Sequence, residues 1–188
     1  MNALNQFLYW QNRFQRRVGH LIAWLALALV LMTALAVMLR YGVDFSSTKL
    51  DESLLYIHAL LFMLGLAYTF QQNQHVRVDV LYQRFSPNHQ AWIDLIGNLL
   101  FVIPVTVFIV WAGWDYVAAS WQILERSADA SGLAYVYLLK SVILVAAMLV
   151  LSQAVAHTLE NLLRLFAPDQ LKPEVQASAF ADDLTEGV

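Results

Sequence analysis

The sequence contains no cysteine and few charged residues. The absence of cysteine excludes disulfide bonds, thiolate metal sites and cysteine-based redox chemistry. Charged residues make up only 13% of the chain, whereas a typical soluble domain has about 25%. Hydrophobic residues make up 60%, and the mean hydropathy is +0.55. The net charge of −3 argues against nucleic acid as a partner. This composition predicts a chain of 188 residues that lies mostly within a lipid bilayer.

The apolar residues are concentrated in four long runs. A run of about 18 or more residues without charge is long enough to cross a bilayer as a helix. The four predicted spans cover about residues 18–39, 53–70, 95–114 and 133–159, and Lys140 is the one charged residue inside them. Lipid cannot satisfy open backbone N–H and C=O groups, so each span must be helical. The sequence therefore predicts an all-α integral membrane protein with four transmembrane helices, and Pro104 is expected to kink the third.

The two ends of the chain differ from this four-helix domain, which we place at residues 18–163. Around residues 1–17, Phe7, Trp10, Phe14 and Val18 recur at helical spacing with arginines between them, which predicts an amphipathic helix at the membrane interface. The first span could instead be a cleaved signal peptide, but its run exceeds the usual apolar region of about 7–15 residues, so a retained span is favoured. Residues 164–188 are acidic and poor in large apolar residues, which predicts a disordered tail.

Basic residues predict the orientation of the chain in the membrane. Seven lie in the N-terminal segment, the loop after span two and the tail, whereas three lie in the other loops. The first group is Arg13, Arg16, Arg17, Arg77, Arg84, Arg164 and Lys172, and the second is Arg40, Lys49 and Arg126. Loops rich in lysine and arginine remain in the cytoplasm. Both termini, and with them the tail, are therefore predicted to be cytoplasmic.

A few polar residues near the spans have two interpretations each. His75, Arg77 and Asp79 lie in the loop after span two, which is either a structured contact site or a solvated connector. Glu52 opens span two, where a carboxylate is favoured by the helix dipole, so helix capping is preferred over a ligand role. Lys140 either extends its ammonium group outward to the membrane surface or pairs with an acidic group on a partner.

Several functional classes lack the residues they need. No Asp, Glu, Arg or Lys lies near the middle of a span, where ion-coupled transporters keep ionisable groups. No nucleophile, metal cluster or phosphate loop is recognisable, so we expect no enzyme, cofactor or metal. The alternatives are a free-standing four-helix membrane protein, such as a b-type haem subunit ligated by His20 and His157, or a small transporter. An accessory membrane subunit is the favoured interpretation.

One family has the same motifs in the same order. They are Glu52 at the start of span two, Gly65-Leu66-Ala67 within it, His75-Val76-Arg77-Val78-Asp79 in the loop and Tyr137-Leu138-Leu139-Lys140-Ser141 in span four. With these motifs, residues 18–163 resemble the small membrane subunit, of the DctQ type, of tripartite ATP-independent periplasmic (TRAP) transporters. The last block, with Ser131-Gly132-Leu133, is similar to the branch for mannitol or chloroaromatic compounds. The residues at 71–74 depart from the family, which often has a basic residue or glycine before the histidine.

The resemblance implies a division of labour in the bacterial inner membrane. A periplasmic binding protein delivers an organic acid to a large permease subunit, which carries the substrate and sodium sites. The small subunit forms a stable complex with the large one as a scaffold, and contact with the binding protein would be transient. The positions that the resemblance implies as structural or partner-contact sites are Glu52, Gly65, His75, Arg77, Asp79 and Lys140.

Overall fold

The regular structure of the protein is helical wherever it can be described. A computed structural model describes residues 3–72, 82 and 84–171, and these residues form no strand. The helices are α1 (Ala3–Gly42), α2 (Thr48–Gln71), α3 (Pro87–Gly97), α4 (Ile103–Gln122) and α5 (Val136–Phe166), with a π-helical turn at Asn98–Val102 and a 3₁₀ turn at Pro168–Gln170. The all-α fold class is therefore confirmed.

Four helical stretches are long and apolar enough to cross a membrane. They are α1, α2, the stretch Pro87–Gln122 and α5. The predicted number of four spans is confirmed. Three of the helical stretches extend beyond their apolar runs at both ends, whereas α5 begins at Val136, inside the fourth run, and extends beyond it only at its C-terminal end. A helix ends where its backbone hydrogen bonding ends, whereas hydropathy marks only the part that lipid can solvate.

Helix α1 contains both the N-terminal segment and the first span, which the sequence predicted as two separate elements. Its 40 residues form one helix, about 60 Å long at roughly 1.5 Å per residue and twice the hydrocarbon thickness of a bilayer. No proline interrupts the residues around position 18, so the helix continues through the predicted boundary. The interfacial location of residues 1–17 stays a prediction, but they are not a separate helix.

The third span contains a local change of helix type just before Pro104. The Ile103 N–H donates to the Asn98 carbonyl, five residues back, which defines a π turn. A proline has no N–H, and its ring would clash with the carbonyl four residues earlier. The wider π turn accommodates this conflict. A π turn thus lies directly N-terminal to Pro104, and the kink predicted there stays a prediction.

The chain packs as two compact units, and each transmembrane stretch contributes a segment to both. The first unit comprises Met1–Arg17, Ala67–Val107 and Met148–Val188, and the second comprises Val18–Leu66 and Phe108–Ala147. The first unit has a core of Leu8, Ala156, Leu163 and Leu171. Because α5 continues to Phe166 and Leu171 is buried, order extends past residue 164, where the tail was predicted to begin. The residues from 172 on lie outside the described chain.

In the first unit, α1 turns its polar side inward. Asn5, Leu8, Asn12 and Gln15 form a buried stripe, whereas the aromatic residues of the same segment are exposed. This is the reverse of a surface helix in a water-soluble protein. It is the arrangement expected for a helix that turns its apolar side to a membrane surface, because its polar groups must then find partners on the inner side.

Candidate partner-contact sites

In the second unit, Glu52 anchors the loop of residues 123–135, which joins α4 to α5. One oxygen of its carboxylate accepts a hydrogen bond from Ser127 Oγ, and the other accepts one from the Leu133 backbone N–H at 2.5 Å. The hydroxyl groups of Thr48 and Ser131 are 3.1 Å apart and add a second link. The capping interpretation of Glu52 was therefore incomplete, because its carboxylate binds a loop more than 70 residues away in sequence.

Gly132 allows this loop to approach α2 closely. A Cβ atom at position 132 would lie 2.5 Å from Glu52 Oε1 and even closer to the Ser127 hydroxyl. Non-bonded carbon and oxygen atoms do not approach each other so closely, so a larger residue would force the loop away from α2. Glycine is required here for space, and its backbone φ is not positive.

The 123–135 loop begins with a Schellman motif at the end of α4. The Leu124 N–H donates to the Trp121 carbonyl at 3.2 Å, and the Glu125 N–H donates to the Ser120 carbonyl at 3.0 Å. Leu124 occupies the left-handed position, with φ 46°, where glycine is usual. The turn leaves Ile123 and Leu124 with exposed side chains.

Lys140, near the start of α5, pairs with an acid of its own chain. Its Nζ donates to a Glu125 carboxylate oxygen at 2.5 Å and lies 4.1 Å from the centre of the Tyr116 ring. The two side chains are only 17% and 29% exposed. The hydrogen bond from the lysine holds the pKa of the Glu125 carboxyl below its ordinary value. Neither interpretation of Lys140 from the sequence included this partner.

Aromatic residues also join α4 to α5 in the second unit. Trp121 Nε1 donates to Ser141 Oγ at 2.8 Å, and its ring packs edge-on against Tyr137 with centroids 4.7 Å apart. Together with the ion pair, these contacts give the Tyr137–Ser141 block a structural role. The block lines the junction between two helices.

In the first unit, buried amide side chains link three helices. Gln71 Nε2 on α2 donates to the Asn12 carbonyl of α1 at 2.8 Å, and Gln153 Nε2 on α5 donates to Asn12 Oδ1 at 3.2 Å. Gln15 donates to the Leu149 carbonyl at 2.9 Å. In membranes such hydrogen bonds contribute about 0.6–2 kcal/mol each. This network was not predicted from the sequence, because amide residues on different helices do not recur at a regular interval along the chain.

The remaining predicted positions receive less support from the structure. A Cβ atom at Gly65 would meet no heavy atom of the described chain within 4 Å, so no close packing there requires glycine. His75, Arg77 and Asp79 lie outside the described residues, and their contact role stays a prediction. At the end of the same loop, the Tyr82 hydroxyl donates to Asp94 at 2.7 Å. Within the described ranges, no group of three His, Asp or Glu residues could hold a metal ion.

These features define a class of protein, a polytopic helical membrane protein whose polar side chains connect its own helices and loop. The model of the family described as tripartite ATP-independent periplasmic transporters, DctQ component, matches residues 29–166. The chain therefore belongs to the DctQ component family of TRAP transporters.

A comparison with curated proteins gives a concordant relative. The chain is 35% identical over 82 residues to a Haemophilus influenzae protein named as a TRAP transporter small permease protein. The aligned segment covers 44% of this chain and 50% of the relative. The matched segment thus spans about half the length of that protein. No solved structure matches the chain.

Proposed function

We propose that the protein is the small permease subunit of a TRAP transporter and acts as a scaffold for a large transport subunit in the bacterial inner membrane. The observation that carries this proposal is the use of charged residues within the spanning helices. Lys140 pairs with Glu125, and buried Glu160 pairs with Arg164 at 2.6 Å. The first pair ties α5 to the 123–135 loop and the second stabilises α5 itself as an i,i+4 pair, whereas substrate or ion binding needs groups directed toward a shared site.

The partners follow from family membership. A DctQ component is one of three parts, so we propose a stable complex with a large permease subunit and a transient one with a periplasmic binding protein. Substrate and sodium sites are assigned to the large subunit, and the substrate class is an organic acid. Membership in this family favours this function over the b-type haem subunit and the small self-sufficient transporter that the sequence left open.

The anchored 123–135 loop is the proposed docking element for the binding protein. With both termini in the cytoplasm, as the arginine distribution predicts, this loop would face the periplasm. Glu52 and Lys140 hold the loop at two points, and the turn exposes Ile123 and Leu124. Exposed apolar side chains on an anchored loop lose little conformational freedom on binding, which favours a protein contact.

The decisive experiment is co-purification followed by reconstituted uptake. The chain is co-expressed with a large TRAP permease subunit, and the complex is placed in proteoliposomes with the binding protein and a sodium gradient. We expect a roughly one-to-one complex and uptake that requires all three proteins. A monodisperse chain that ignores the permease, or uptake by the permease without this chain, would contradict the proposal.

Orientation is tested separately with reporter fusions. A reporter after Arg164 is expected to indicate cytoplasm, and one inserted near Ser127 is expected to indicate periplasm. The reverse pattern would reject docking at the 123–135 loop while leaving the scaffold role intact.

A further inference from the structure

The N-terminal turns of α1 carry an exposed aromatic stripe. Phe7, Trp10 and Phe14 have 44%, 55% and 50% of their surfaces exposed. They recur at positions i, i+3 and i+7 and so share one side of the helix. The opposite side holds the buried amides described above. This segment therefore presents rings outward, at the end of α1 that precedes the first span.

Arg13 is held in place among these rings. Its Nη1 donates to the Tyr9 hydroxyl at 3.0 Å, and its guanidinium carbon lies 6.0 Å from the centre of the Trp10 ring. Both contacts come from the preceding helical turn. An arginine has five N–H donors, so one hydrogen bond to tyrosine leaves most of the fork available. The side chain is exposed and its geometry is already organised.

The positive charge on this segment has no acidic counterpart in the helix. Arg13, Arg16 and Arg17 lie within five residues, and α1 contains no Asp or Glu. The ion pairs of arginine in the described chain are Arg40 with Asp51 and Arg164 with Glu160. Arg13 and Arg17 are exposed, whereas Nε and Nη2 of Arg16 are buried. The two exposed arginines thus place positive charge on the surface of this helical segment.

The depth of Arg13 fits the headgroup layer of a bilayer. It precedes Val18, where the first apolar run begins, by five residues, or about 7 Å along a helix axis. The polar layer on each side of the hydrocarbon core is roughly 5–7 Å thick. Because α1 is continuous across this boundary, we expect Arg13 at the level of the phospholipid phosphates.

We propose that Arg13, supported by Tyr9 and Trp10 and assisted by Arg17, binds the phosphate of an anionic phospholipid. A planar guanidinium matches two oxygens of a phosphodiester in a bidentate arrangement. Tyrosine and tryptophan are enriched at membrane–water interfaces, where their amphipathic rings lie at the level of the headgroups. A carboxylate on a protein partner would satisfy the same fork, but it does not account for two exposed arginines one turn apart, Arg13 and Arg17, beside an aromatic stripe, which is the pattern that anionic membranes attract.

The test measures lipid retention by the full-length protein. The purified chain, alone and in complex with its permease, is released from nanodiscs of equal phosphatidylglycerol and phosphatidylcholine for native mass spectrometry. We expect phosphatidylglycerol to be retained preferentially, and Arg13→Gln to lower its retention about fivefold. The control is Arg164→Gln, which removes the same charge from an arginine that already pairs with Glu160, and we expect a change of less than about twofold.

Two more variants separate the site from general charge attraction. Arg13→Lys keeps the charge but removes the planar fork and should give an intermediate loss, and Tyr9→Phe removes only one hydroxyl and should give a smaller one. Equal losses in Arg13→Gln and Arg164→Gln would overturn the proposal. Displacement of the lipid by millimolar inorganic phosphate would indicate a soluble-anion site instead. A photo-crosslinker at position 13 that reacts with the permease rather than with lipid would indicate a protein interface, and either result would also overturn it.

Discussion

The Lys140 ammonium group donates to the Glu125 carboxylate at 2.5 Å and lies 4.1 Å above the Tyr116 ring. This relationship connects the first turns of α5 to the 123–135 loop. A lysine with both an acidic partner and an aromatic face is occupied within its own chain, which suits a structural role. The same pairing leads to the first two predictions.

The first prediction concerns the coupling of this pair. Lys140→Gln and Glu125→Gln should each lower the thermal midpoint of the purified chain, and the double variant should lower it no further than the worse single one. Each single variant leaves the other charge without its partner, so the two effects are not additive. The control is Arg40→Gln, whose ion pair with Asp51 is about half exposed on both sides and should have little effect. Additive losses would show that the two residues act independently.

The second prediction concerns pH. Lys140 lowers the pKa of Glu125 in the folded state. The pair therefore stabilises the fold at pH values above the ordinary glutamate pKa of 4.5. That contribution should persist from pH 7 to pH 5 and be lost as pH falls through the lowered folded-state pKa. Protease cleavage after Arg126 in the loop is the measurement, with increasing susceptibility expected only at the acidic end. In Glu125→Gln the susceptibility should be high at every pH, and a wild-type increase near pH 6 would contradict the assignment.

The third prediction compares two glycines. Gly132→Ala should destabilise the protein by about 1–3 kcal/mol, because the added carbon overlaps the Glu52 carboxylate and the loop must move. Gly65→Ala should be neutral or slightly stabilising, because nothing in the described chain lies within 4 Å of the new carbon and alanine favours helix. Thermal unfolding in detergent measures both. Equal effects at the two positions would argue against the close approach at Gly132.

The fourth prediction separates stability from docking at Leu124. Leu124→Gly should stabilise the isolated chain by about 1 kcal/mol, because glycine adopts the left-handed conformation at φ 46° without strain. The same change removes an exposed side chain from the loop, so uptake by the complete system should fall although the chain is more stable. Ile123→Ala removes a neighbouring exposed side chain without changing the strained position. Unchanged uptake in both variants would reject the loop as a docking element.

The fifth prediction concerns the loop after the second span. If His75, Arg77 and Asp79 form a structured contact, Asp79→Ala should reduce complex assembly or uptake several-fold while the protein remains in the membrane. The reason is that a carboxylate lost beside an arginine leaves that charge uncompensated near protein or lipid. Asp169→Ala removes an acid from the exposed 3₁₀ turn and serves as the control. Normal assembly and uptake in Asp79→Ala would support a solvated connector.

The sequence by itself determined the class of the fold and the number of spans. Four apolar runs of sufficient length, with Lys140 as their one charged residue, permit only helices in lipid. The motifs around Glu52, Gly65, the His75–Asp79 loop and Lys140 identified the family that the DctQ match confirms. These features depend on local composition and order along the chain, which a sequence contains directly.

The tertiary structure alone decided which polar residues meet. Lys140 pairs with Glu125 across a loop, Glu52 accepts hydrogen bonds from a loop far along the chain, and Gln71 reaches the Asn12 backbone on another helix. None of these partners stands at a regular spacing from the other, so no periodicity announces them. In a membrane the hydrophobic effect directs every apolar run into lipid but does not select how helices face one another, so rotation and register depend on packing and on a few hydrogen bonds that form only once the helices are together.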